Sequence, residues 1–183
     1  SYVDALERLE IALAAAYPMR NRCPVDPAAL TAIAPSFNQF LYRAPCERLA
    51  DGALNPRLDI QAIETRYLGQ QPEVTFIDHL LKPEALTALR TFCLESTIWK
   101  KDYENGYLGA FLGDGFATPL LLQIAEELRR AFPGIFKDHR LTQAWAFKQD
   151  SARRGLSIHA DAAAVNVNFW ITPDEANLNP EKG

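Results

Sequence analysis

Eight residues late in the chain, Val165-Asn-Val-Asn-Phe-Trp-Ile-Thr172, alternate strictly in character. Val165, Val167, Phe169 and Ile171 hold the odd positions, and Asn166, Asn168, Trp170 and Thr172 the even ones. Side chains of a strand point alternately to its two faces, so the run predicts a strand with one apolar face and one face of amides and indole. A helix would scatter both sets around its circumference. On a surface strand the polar face would meet water; inside a barrel it would line a pocket. Two asparagines beside a tryptophan favour the pocket, which makes Asn166, Asn168 and Trp170 candidate lining residues.

The residues just before this run carry the candidate chemistry. Gly155-Leu-Ser-Ile-His-Ala-Asp161 reads as the end of a turn, a short strand and a pair of donors. In an extended chain residues i and i+2 share a side, so the imidazole of His159 and the carboxylate of Asp161 can aim at one point. That is two thirds of the 2-His-1-carboxylate triad of non-haem Fe(II) oxygenases. Small neighbours, Ala160 and 162 to 164, leave room beside it. The spacing alone is weak evidence. With three histidines and eleven aspartates, chance supplies such a pair roughly one time in six. His79 and His139 read as structural or surface residues, and a second histidine further along, the triad's third ligand, is not supplied before Gly183.

Taken in order, the chain begins with a helix: Ser1 and Asp4 resemble a capping box, Leu6, Leu9, Leu13 and Ala16 recur at helical spacing, and Pro18 ends it. Residues 21 to 71 are proline-rich, and Asp26-Pro27 and Asn55-Pro56 predict helix starts. Another short helix is expected over 36 to 43. Residues 73 to 78 read as a strand, and Pro83 opens a helix with one apolar stripe. The turn at Asn105-Gly106 predicts a hairpin from 99 to 112. Thr118-Pro119 opens a second long helix, with Leu120, Ile124, Leu128 and Phe132 at i+4 steps. A strand over 141 to 149 puts Gln143, Trp145, Phe147 and Gln149 on one side; Gln143 and Trp145 join the pocket candidates. Helices followed by short strands predict an α+β fold: a double-sheet jelly roll with supporting helices on one face, after an N-terminal helical segment over 1 to 71.

The chain has 183 residues, 48% hydrophobic and 23% charged, enough for one well-cored domain with a small appendage. A net charge of −4 without basic runs argues against a nucleic-acid surface. Cys23, Cys46 and Cys93 lack metal-ligand spacing and read as reduced thiols, pointing to a cytoplasmic location. No apolar run reaches the length of a membrane span and no signal peptide is visible.

The segment from Gly155 through Val165-Asn-Val-Asn-Phe-Trp-Ile-Thr-Pro-Asp-Glu-Ala-Asn177 to Gly183 resembles a bacterial group of 2-oxoglutarate/Fe(II)-dependent oxygenases. These are related to prolyl 4-hydroxylases and often fused to tetratricopeptide repeats. Val74-Thr-Phe-Ile-Asp-His-Leu-Leu-Lys-Pro-Glu-Ala-Leu-Thr-Ala-Leu-Arg90 and Leu141-Thr-Gln-Ala-Trp-Ala-Phe147 are similar to the same group. The likeness covers about residues 73 to 183. It implies a cupin-like double-stranded β-helix over 72 to 183 whose C-terminal part lies past the chain's end. It also implies Fe(II) and 2-oxoglutarate as cofactors, His159 and Asp161 as the first two ligands, and Asn166, Asn168 and Trp170 pointing inward. The second histidine and the basic anchor for 2-oxoglutarate are expected past Gly183. Related enzymes tend to carry a tyrosine where this chain has Gln149, which is a departure. Among nearby cations, Lys148 alternates away from Trp145, and Arg153 and Arg154 read as a solvated turn.

The resulting expectation is a dioxygenase that hydroxylates a C–H bond of a peptide or small molecule, with O2 as co-substrate and no nucleic-acid or membrane partner. The alternatives are a non-catalytic interaction module on a degenerate β-helix and a zinc or manganese cupin-like enzyme.

Overall fold

Side-chain caps place three of the helix starts among the described residues. In the computed structural model, which describes residues 2–18, 24–31, 33–35, 37, 41–103, 106–149 and 161–176, α1 spans Tyr2–Ala16 and α2 spans Pro27–Leu30. Asp26 caps α2 by accepting the N–H of Ala28 at 2.9 Å, with Pro27 in the first turn as its sequence predicts. Asn55-Pro56 behaves otherwise: the Asn55 side chain accepts the N–H of Arg57, an Asx turn, and no helix starts there. The helix comes four residues later as α3, Ile60–Leu68, capped by Asp59 on the N–H of Ala62. The expected helix over 36–43 falls partly outside the described residues, and residues 41–43 are irregular.

Helix α4, Pro83–Glu95, and helix α5, Pro119–Ala131, form as expected. Thr118, almost fully buried, caps α5 by accepting the N–H of Leu121 at 3.1 Å. The i+4 row of α5, Leu120, Ile124 and Leu128, is buried, and Phe132 continues it into the short α6, Pro133–Phe136. These residues meet Leu89, Phe92 and Cys93 of α4 in one cluster. Ala44, Cys46, Ala53 and Ile63 belong to the same cluster, so residues 41–68 share a core with the helices that follow.

The hairpin also forms. Strand β1, Lys101–Tyr103, pairs antiparallel with β2, Tyr107–Phe111, and Gly106 at φ 84° supplies the left-handed turn position. Strand β3, Trp145–Gln149, pairs with the other side of β2, giving the order β1-β2-β3. The expected strand over 141–149 is therefore shorter than its alternation, although Leu112 still donates to the Ala144 carbonyl at 3.1 Å.

Two predicted strands do not form among the described residues. Residues 73–77 run without a ladder; Val74 is 50% and Phe76 79% exposed, and the pairing nearby is an isolated bridge between Leu54 and Leu81. Residues 165–172 likewise join no ladder among the described residues, although Phe169 and Ile171 pack on the core. The expected strand over 156–159 lies outside the described residues. What the structure describes is a three-stranded antiparallel sheet against helices; the jelly roll remains an expectation.

Candidate functional site

The sheet has two unlike faces, set by its register. Ala110 pairs with Ala146, and this face, together with Ala144, packs on the helical core. Lys148 lies on the same side, its ammonium 4.9 Å from the centroid of the Trp99 ring, a cation–π contact. The Trp99 indole in turn donates to the Cys93 carbonyl at 3.0 Å. Lys148 therefore faces away from Trp145, as the alternation predicts.

The opposite face is aromatic. Tyr103 and Tyr107 stack at 4.3 Å, and Phe147 meets them edge-on at 6.0 and 5.2 Å. Phe111 pairs with Trp145 on that face, and all five rings are half-buried. Gly109 makes the arrangement possible. A Cβ there would stand 3.1 Å from the Tyr103 ring and 3.2 Å from the Phe111 ring. Of the pocket candidates on this strand, Trp145 belongs to the aromatic face, whereas Gln143 is exposed and precedes the strand. Sequence reasoning left Tyr103, Tyr107 and Phe111 out of the site. The Asn-Gly signal for a hairpin could have grouped Tyr103 with Tyr107 and Phe111 on one face, but their place beside Trp145 comes from the pairing of β2 with β3.

Asp161 is half-buried, and its Oδ2 accepts a hydrogen bond from Nδ2 of Asn166 at 2.7 Å. A turn brings the two together, with the N–H of Ala163 donating to the Asp161 carbonyl at 2.9 Å. The structure thus joins two of the candidate residues directly. His159, Arg153 and Arg154 lie outside the described residues. Among the described residues no three His, Cys, Asp or Glu side chains assemble as a metal-binding group. Asn166 and Asn168 are exposed, and Trp170 is 79% exposed, so this row becomes a pocket wall only when something else closes over it.

Elsewhere, a shallow groove of about 370 Å³ runs between residues 54–60 and α5, lined by Leu54, Pro56, Leu58, Ile60 and Ala131 with Glu127 and Arg130 at its side. It contains none of the candidate residues. Cys46 and Cys93 are free and buried. Burial pushes the Cys93 thiol up to about 11, with the nearby Cys46 adding and Lys148 opposing. Both cysteines therefore behave as packing residues. Among the described residues no helix is long and apolar enough to cross a membrane. No family model, curated protein or solved structure matches the chain.

Proposed function

We propose that this chain carries the first two metal ligands of an Fe(II)/2-oxoglutarate-dependent oxygenase that hydroxylates a C–H bond of a peptide or small molecule. The observation that carries the reading is the half-buried Asp161, two residues after His159, with its carboxylate held by a side-chain amide. Imidazole nitrogen and carboxylate oxygen are a donor set that suits Fe(II), and ligating carboxylates are characteristically hydrogen-bonded by a neighbour. His159 and Asp161 would hold the ion. The bound iron supplies the chemistry by which O2 hydroxylates the substrate while 2-oxoglutarate loses CO2 to give succinate.

The remaining residues contribute surfaces. The aromatic face with Trp145 excludes water from whatever lies against it, and Asn168 and Trp170 offer an amide and an indole to a substrate. Lys148 is engaged on the other side of the sheet, so the cation that receives the far carboxylate of 2-oxoglutarate is assigned elsewhere.

The test is turnover of the oxo acid. The intact natural protein, loaded with Fe(II) without air and then given 2-oxoglutarate and O2, should release succinate. His159→Ala should abolish that release. Absence of succinate, together with no change in the visible absorption of the Fe(II) protein on adding 2-oxoglutarate, would overturn the reading. The exposure of Trp170 favours one second reading, a non-catalytic surface that binds a partner protein. On that reading, Trp170→Ala would abolish partner binding while His159→Ala left it intact.

A further inference from the structure

We infer that Asn166 is a positioning residue that fixes Asp161 as a one-oxygen metal ligand. The inference rests on the oxygenase reading above and adds to it a role for a residue that otherwise counts as pocket lining. At 2.7 Å the bond from Nδ2 to Oδ2 is at the short end for an N–H donor, as expected when the acceptor is charged. It spans five residues across the turn closed by Ala163 and Asp161. The run that presents the amide is seated on the core by Phe169 and Ile171, so the donor is held by packing.

The chemistry of the partner matters. A Lys or Arg here would neutralise the carboxylate that the cation requires. A neutral amide orients the group without itself neutralising it. An oxygen that already accepts an N–H is also the poorer metal donor of the two. Ligation through both oxygens would have to break the 2.7 Å bond, so the amide disfavours it.

Mn(II) is the probe, with loss of the free-ion electron paramagnetic resonance signal reporting binding to the intact natural protein. Asn166→Ala should weaken Mn(II) binding by about 10- to 100-fold, the range for removal of a residue that orients a ligand. Asn166→Ser, too short to reach Oδ2, should weaken it similarly. Asp161→Ala should abolish binding, and Thr172→Ala, on the same row, should leave it unchanged. In Co(II)-loaded protein, Asn166→Ala should lower the visible d–d absorption, because a released carboxylate can bind through both oxygens and raise the coordination number. Thermal midpoints near wild type would exclude a merely structural effect, since Asn166 is exposed.

If both Asn166 variants bind Mn(II) within about twofold of wild type while Asp161→Ala abolishes binding, well below the expected loss, the inference is overturned and the oxygenase reading stands. If the Co(II) spectrum of Asn166→Ala matches wild type, the one-oxygen assignment is overturned. If wild type binds no Mn(II), or Asp161→Ala binds it normally, the oxygenase reading falls and this inference with it.

Discussion

Glu127, on α5, is the group whose replacement has the most calculable effect. Its Oε2 accepts the N–H of Ala53 at 2.8 Å and of Leu54 at 3.0 Å, and its Oε1 accepts Nε2 of Gln123 at 2.7 Å. Gln123 in turn holds both the N–H and the carbonyl of Leu49 at 2.8 Å. One carboxylate and one amide thus fasten residues 49–54 to the helix. Gly52, at φ 82°, passes the carboxylate so closely that a Cβ would stand 3.4 Å from it. Glu127→Ala removes the acceptor from two backbone N–H groups, one of them on the fully buried Ala53. Hydrogen bonds to charged groups contribute about 1.5–3 kcal/mol each and are not additive within one site, so a loss of about 3 kcal/mol is expected. Glu127→Gln keeps one acceptor oxygen but turns an amide N–H toward Gln123, and should lose about half as much. For a chain of this size Glu127→Ala should lower the melting midpoint by about 6–12 °C.

The pH dependence gives a second, independent check. Burial opposes ionisation of Glu127. The N–H of Leu54, the Gln123 amide, the N–H of Ala53 and the Lys82 ammonium together outweigh it and hold the carboxyl below its usual range. A carboxyl depressed on folding stabilises the fold above its unfolded pKa, about 4.3, and that stability is lost as pH falls through the folded value. Urea unfolding of wild type and Glu127→Gln should therefore show a constant gap at neutral pH that closes on acidification below about pH 4. A gap independent of pH, or a Glu127→Ala variant within about 0.5 kcal/mol of wild type, would refute the assignment.

Three further outcomes are expected. Gly109→Ala should destabilise by about 1–3 kcal/mol through overpacking and alter the near-ultraviolet circular dichroism, because its Cβ meets the rings of Tyr103 and Phe111. In the native protein at pH 8, Cys93 should react with iodoacetamide far more slowly than after unfolding, since its thiol titrates at about 11 and is buried. Trp170→Ala should leave the unfolding free energy within about 0.5 kcal/mol of wild type, because the ring is exposed; a larger loss in urea titration would mean that the ring packs on the fold.

Local signals carried some elements and not others. Asn105-Gly106 and Thr118-Pro119 specify backbone geometry with their own atoms, and the hairpin and α5 follow directly. The runs at 73–78 and 165–172 have strand-like alternation, yet a strand exists only through hydrogen bonds to a partner, which alternation does not encode. Alternation did report the faces, since Phe169 and Ile171 turn to the core while Trp170 turns to solvent. Helix α3 was expected four residues too early, because Asn55 spends its side chain on the N–H of Arg57 and Asp59 is the residue that caps the helix.

The candidate site shows the same limit. In a regular strand Asp161 and Asn166 stand an odd number of residues apart and face opposite ways. The turn at 161–163 resets that parity and lets them bond. Both residues were visible in the sequence; their bond to each other was not.

The sheet's asymmetry also bears on how such a protein can change over generations. Ala110 is fully buried in the helical core cluster and Ala146 opposite it is partly buried against the same cluster, so a larger residue at Ala110 would overpack and that position has little freedom to drift. The five half-buried rings across the sheet contribute little to that seam. A lineage could exchange them one at a time, trying new surfaces against new ligands, while the scaffold beneath stayed the same.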